Sequence, residues 1–204
     1  STVTGGGKNG ASGADSSYGV FNSESGINIL TQLGYKAPQW GIAAGYRYGT
    51  PQSAVRDGNG VAGSALGLSQ TSDSIALNAY WQPKKSGAIP SVSVGYGYNF
   101  VNGNSTSPGA TRQKQAQSSK SWMVGLQWSD VFLKGNAAGA AIGAPGNAAS
   151  LADDKKAMLA EIFYRHKVSD SVSITPALFY VSNNQAFNGA SSNLGGVIQT
   201  KFSF

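Results

Sequence analysis

Side chains able to do covalent or acid–base chemistry are scarce in this sequence. It has one histidine, His166, and no cysteine. A catalytic imidazole needs a nucleophile and an orienting partner within reach. His166 instead follows Tyr164 and Arg165 in a strand-like run, and alternation puts it outward beyond Tyr164, as a solvated interfacial side chain. Transition-metal sites need His/Cys clusters, which are missing. Asp57-Gly-Asn-Gly has the look of a loose Ca²⁺ ligand run but lacks the remaining ligands, so it reads as a turn, and Asp153-Asp154 reads as a solvated loop. Gly5-Gly6-Gly7 precedes neither a helix nor a Lys-Ser/Thr pair, so it is not a phosphate loop. The expectation is a protein without catalytic residues, metal or cofactor.

What remains is fixed charge. The chain has 15 Lys and Arg against 9 Asp and Glu, a net charge of +6. The basic residues are scattered, adjacent only at Lys84-Lys85 and Lys155-Lys156, whereas a nucleic-acid footprint clusters on one element. No nucleic-acid partner is expected. Six charges matter for a different reason: Lys36, Arg47, Glu161, Arg165, Lys167 and Lys201 fall on one parity of strand-like segments. Five of the six are basic, which in a channel wall favours anions. Glu161 and Arg165 lie four apart on one segment, and each is expected to pair with a neighbouring strand.

The elements that position these charges show period two, the signature of strands. In Ile89–Phe100, Val92, Val94, Tyr96, Tyr98 and Phe100 share one face, and Ser91, Ser93, Gly95, Gly97 and Asn99 the other. The same contrast of an apolar face with a small or polar one recurs in Gln39–Tyr48, Ser74–Gln82, Ser121–Trp128, Met158–Lys167, Ser171–Tyr180 and Val197–Phe204. Weaker candidates are Ile27–Lys36 and Gly135–Gly143, with Ser16–Phe21 a possible tenth strand. About nine segments of roughly ten residues match the length that crosses a bilayer at a tilt.

Two features separate a membrane sheet from a soluble sandwich. Short links near Ala37-Pro38, Pro83–Ala88, Asp130–Lys134 and Ser169-Asp170 alternate with long ones at Gly49–Asp73, Val101–Lys120, Ala144–Lys155 and Ser182–Asn193. Outer-membrane barrels have short periplasmic turns and long outer loops. Aromatics also gather at both ends of the apolar face. Tyr35, Trp40, Trp81, Trp128 and Tyr164 lie near the short links, and Tyr46, Tyr48, Tyr96, Tyr98, Trp122 and Tyr180 near the long ones, with aliphatic residues between. The expected class is all-β, a transmembrane antiparallel up-and-down barrel. Residues 1–26 form an outer-loop segment and 27–204 the barrel strands. Phe202 and Phe204 end the last strand with the parity of a C-terminal assembly signal.

Small inward residues leave room for a water-filled lumen, whereas a narrow barrel needs large side chains to fill it. Tyr80, Phe163 and Phe179 also face inward, to stack on sugar rings or to pack against a loop folded into the pore, for which Gly49–Asp73 is the candidate. An odd strand count does not close an antiparallel barrel, so further strands upstream of Ser1 are expected.

Much of the chain resembles the major porins of cyanobacterial outer membranes, the carbohydrate-selective, OprB-like group that carries surface-layer-homology domains. The residues that carry the resemblance are Trp-Ser-Asp-Val-Phe-Leu-Lys-Gly-Asn at Trp128–Asn136, Ala-Glu-Ile-Phe-Tyr-Arg at Ala160–Arg165, Ser-Val-Ser-Ile-Thr-Pro-Ala-Leu-Phe-Tyr at Ser171–Tyr180 and Gly-Gly-Val-Ile-Gln-Thr-Lys-Phe-Ser-Phe at Gly195–Phe204. Tyr-Gly-Val-Phe-Asn at Tyr18–Asn22 adds to it. The resemblance implies a 16-stranded type of barrel of which this chain is the C-terminal portion. It also implies passive diffusion of small ions and hydrophilic solutes, such as sugars or iron, and an N-terminal domain that grips cell-wall polymer. Membrane lipid, outer-membrane lipopolysaccharide and two further copies in a homo-trimer are the expected partners. The alternatives are a structural anchoring protein with secondary pore activity, an outer-membrane enzyme, and a soluble lectin-like sandwich.

Overall fold

The computed structural model describes residues 28–49, 71–85, 87–102, 118–148, 157–183 and 192–203. They form nine strands: β1 Asn28–Lys36, β2 Trp40–Gly49, β3 Thr71–Trp81, β4 Ser91–Asn102, β5 Ser118–Ser129, β6 Ala137–Ala148, β7 Met158–Lys167, β8 Val172–Ser182 and β9 Asn193–Phe202. All belong to one sheet whose spatial order is the sequence order, and every neighbouring pair is antiparallel. This is an up-and-down meander with β1 and β9 as its two edges. Among the described residues there is no helix. The candidate strand Ser16–Phe21, the segment 1–26, most of the link Gly49–Asp73 and Phe204 lie outside the described residues.

The strands form because backbone groups pair across each ladder while side chains alternate between faces. The register keeps the faces separate across the whole sheet. On the apolar side Tyr35 pairs with Ile42, Ile42 with Ala79, Ala79 with Val94, Val94 with Val124, Val124 with Ile142 and Ile142 with Ala160. Ile162 then pairs with Leu178, and Leu178 with Gly196. A slip by one residue in any ladder would have mixed the two faces.

Two irregularities have sequence causes. The β5–β6 register shifts between Lys120 and Trp122, where β6 is Gly- and Ala-rich and little side-chain bulk enforces the pairing. The β7–β8 ladder pairs Phe163 with Ala177 and His166 with Ile174 but skips Tyr164 and Arg165. Pro176 sits in that gap and lacks the N–H a central strand needs.

Strand ends differ from the sequence reading by a few residues. β3 begins at Thr71 rather than Ser74, because Ser72 and Asp73 continue the ladder against Val101 and Phe100. β9 begins at Asn193 rather than Val197, and β6 runs from Ala137 rather than Gly135. Gly135 has φ of +91° and belongs to the turn.

No conventional core exists among the described residues. The buried apolar residues are three alanines, Ala137, Ala144 and Ala157. The large apolar side chains stand out of the sheet, with Leu33 81% and Ile198 74% exposed.

Candidate functional site

The links between strands sort by length and by end. Residues 37–39, 82–90, 130–136 and 168–171 connect strands at one end, and 50–70, 103–117, 149–157 and 183–192 at the other. Each short-end link is shorter than the long-end links beside it. The charges, aromatics and glycines singled out from the sequence can be located on this frame.

At the short-link end the apolar face carries Tyr35 and Trp40, whose ring centroids are 5.4 Å apart, and Trp81 as the cross-strand partner of Trp40. The Trp128 indole N–H donates to the Ala88 carbonyl at 3.0 Å, tying β5 to the β3–β4 link. Amphipathic rings of this kind suit a boundary where one side is apolar and the other wet. Tyr164 joins them through Asn136. The 130–136 turn is built around that asparagine, which is 2% exposed. Its Nδ2 donates to the Tyr164 hydroxyl at 2.7 Å and its Oδ1 accepts from the Lys167 backbone N–H at 2.9 Å. The Gly135 N–H donates to Asp130 Oδ1 at 2.8 Å, and the Asp130 N–H to the Asn136 carbonyl. Asp130 and Phe132 take left-handed φ values of +58° and +62°. Phe132 is 89% exposed and its ring lies 6.0 Å from that of Tyr164. The sequence reading missed the roles of Asn136 and Phe132. The Asp-Val-Phe-Leu-Lys-Gly-Asn run was visible, but its bonding needs coordinates.

At the long-link end Tyr98 and Phe100 meet edge to face, 4.5 Å between centroids, and Lys120 Nζ stands 5.5 Å from the Tyr98 ring centroid. The Tyr46 hydroxyl donates to Asp73. Tyr48 pairs with Ile29 and Asp73, Tyr96 with Trp122, and Tyr180 with Ala160 and Leu194. Phe202, opposite Val172, ends β9 at the short-link end.

The opposite face is lined by small and polar residues. Lys36 faces Gly41, Arg47 faces Leu30 and Ser74, and Lys201 faces Ser173. Glu161 faces Ala141 and Phe179, and Arg165 faces Ala137. The expected cross-strand pairing of Glu161 and Arg165 is therefore not found among the described residues: their flanking positions carry no opposite charge. Lys167 pairs with Asp170, in the turn beyond β7, at 2.5 Å. That ammonium, through the hydrogen bond and then its charge, holds the Asp170 carboxyl below its ordinary value.

The aromatics of this face lie flat on glycines. A Cβ on Gly41 would come 2.5 Å from Tyr80 Cε1, one on Gly139 would overlap the Phe163 ring, and one on Gly195 the Phe179 ring. Met123 likewise covers Gly95, where a Cβ would come 3.1 Å from Met123 Cγ. Glycine beside an aromatic on the next strand lets the ring cover exposed backbone. Tyr80, Phe163 and Phe179 thus pack against the backbone of the neighbouring strand. These glycine platforms could be recognised only once the register was known.

Charge is divided unevenly between the two ends. Among the described residues Lys36, Lys84, Lys85, Lys134, Arg165, Lys167 and Lys201 lie at the short-link end, against Asp130 and Asp170. Among the described residues no group of three or more His, Cys, Asp or Glu side chains could hold a metal ion.

No family model matches the chain, and no solved structure matches it. The chain is 28% identical, over 93% of its length, to a protein of the cyanobacterium Synechocystis described as uncharacterized protein sll0772. It spans 38% of that relative's length.

Proposed function

We propose that this chain forms part of the wall of a β-barrel in a bacterial outer membrane, and that the barrel passes small ions and hydrophilic solutes passively. The observation that carries the reading is the continuous apolar face, kept in register over nine strands and left uncovered. Burying a Leu or Ile side chain contributes about 2 kcal/mol, and a sheet in water would not leave this many exposed. Lipid offers that burial. The aromatic residues at both ends of the face, with aliphatic ones between, match the interfaces of a bilayer. The alternation of link lengths supports the same orientation, with the short links on the periplasmic side.

In lipid both edges of the sheet must find partners. β1 and β9 run parallel to each other, since eight antiparallel pairings, an even number, separate them. Antiparallel closure therefore takes an odd number of further strands between them, contributed by residues outside β1–β9. The small side chains of the polar face leave a lumen open rather than filling it. The resemblance to cyanobacterial porins supports the same class of function. Lipid and lipopolysaccharide would contact the apolar face, and two further copies would cover part of it in a trimer.

Single-channel recording of the full-length protein in a planar bilayer, under a KCl gradient, tests this. The expected result is a stable conductance whose reversal potential favours anions. Inserted protein that carries no current would contradict the pore.

A further inference from the structure

We infer that the polar face of β7–β9, at the short-link end, is a binding site for multivalent oxyanions on the permeation path. The inference rests on reading that face as the wall of an aqueous channel. Three adjacent strands place six hydrogen-bond donors together there: Arg165 and Lys167 on β7, Ser173 and Thr175 on β8, Gln199 and Lys201 on β9. Lys167 pairs with Ser173, Ser173 with Lys201, and Thr175 with Gln199. Arg165 lies on the same face, in the ladder gap opposite Pro176 and Thr175. Neighbouring strands are about 4.8 Å apart, so the β7 and β9 cations stand on the order of 10 Å apart with two hydroxyls between them. That spacing fits a tetrahedral oxyanion held between cations and donated hydroxyls.

Among the described residues the only carboxylate paired with a member of the patch is that of Asp170, on Lys167. Glu161, the other charge on this face of β7, lies four residues from Arg165, about 13 Å along the strand. Asp170 is almost fully exposed and engages Lys167 from beyond the strand end. Among the described residues no ion pair engages Arg165 or Lys201. Lys167 is positioned by its surroundings, since its backbone N–H is held by Asn136 and its stem lies where a Cβ on Gly135 would fall. A guanidinium presents a planar fork that fits two oxygens of phosphate or sulfate, and an ammonium supplies a point charge beside it. The remaining described cations of this end, Lys36, Lys84, Lys85 and Lys134, would raise the local anion concentration at the mouth. A monovalent halide gains little from the fork, so the site favours phosphate-like oxyanions over chloride.

The probe is inorganic phosphate, with two independent readouts on the full-length protein. In single-channel recordings in KCl, phosphate on the short-link side should lower the conductance about twofold near its dissociation constant, roughly millimolar for a site of this kind. The same addition on the opposite side should act more weakly. Calorimetry on detergent-solubilised protein should show phosphate binding whether or not the channel conducts. The double variant Arg165→Gln/Lys201→Gln should lose both effects, while Lys120→Gln, at the long-link end of β5, keeps them. Should the double variant fail to insert, Lys201→Gln alone, on the edge strand, should weaken phosphate binding severalfold. Absence of binding by calorimetry, or binding undiminished in these Gln variants, overturns the site. Binding without conduction removes the channel and keeps the patch, and conduction without binding does the reverse.

Discussion

Glycine in this sheet acts mainly by absence. At Gly143 an added Cβ would come 2.5 Å from the Trp122 carbonyl oxygen and 3.2 Å from Met123 Cα. Both are backbone atoms and cannot turn aside. At Gly45 the nearest atoms are the Thr31 oxygen at 3.8 Å and Ala76 Cβ at 4.0 Å, an ordinary contact. Gly143→Ala should therefore cost about 1–3 kcal/mol through overpacking, whereas Gly45→Ala should change stability by less than about 0.5 kcal/mol. Urea unfolding in detergent, followed by tryptophan fluorescence, measures the pair. Equal midpoints for the two variants would mean that the β5–β6 approach is looser than described. The sequence alone does not separate the two residues, because the difference lies in the register shift beside Trp122, which composition does not encode.

The elements were legible to different degrees, for physical reasons. β4 was readable because Val92–Phe100 alternates without exception, so one face of the strand is visible in the letters alone. β6, Ala-Ala-Gly-Ala-Ala-Ile-Gly-Ala-Pro-Gly-Asn-Ala, has almost no contrast between faces, and its bounds moved accordingly. The first four residues of β9, Asn193 to Gly196, escaped for the same reason. Turn chemistry was the least legible level. The 130–136 turn depends on Asn136 bridging Tyr164 and Lys167 on β7, a contact between residues 28 and 31 positions apart. Asn136→Ala leaves the Tyr164 hydroxyl and the Lys167 N–H without their partner at a part-buried contact, and should cost about 1–2 kcal/mol. The loss should appear as a lower urea midpoint, with fraying of β6 and β7 at that end seen by hydrogen exchange. A midpoint unchanged from the parent would show that the turn is held by other contacts.

At the scale of the whole molecule, the described residues form a sheet with one apolar face and no conventional core, and in the proposed function lipid is the solvent that covers that face. Most charged residues of the strands follow that division, and Asp73 and Lys120 stand on the apolar face only at its long-link end. Lys36, Arg47, Glu161, Arg165, Lys167 and Lys201 share the polar face, as the alternation required, and four of them, Lys36, Arg165, Lys167 and Lys201, lie toward the short-link end. The account stands on the two faces meeting different solvents, and thiol scanning reads this directly. The chain contributes no cysteine of its own, so each introduced thiol reports one position. Single cysteines would be placed in turn at Met123, Val124, Leu126 and Gln127 of β5 in the full-length protein, reconstituted in vesicles. A water-soluble charged maleimide should label Met123→Cys and Gln127→Cys and spare Val124→Cys and Leu126→Cys, with the latter two reacting only with a lipid-soluble reagent. Labelling of all four by the charged reagent, or of none with the protein left outside the vesicles' lipid, would contradict a wall between membrane and water.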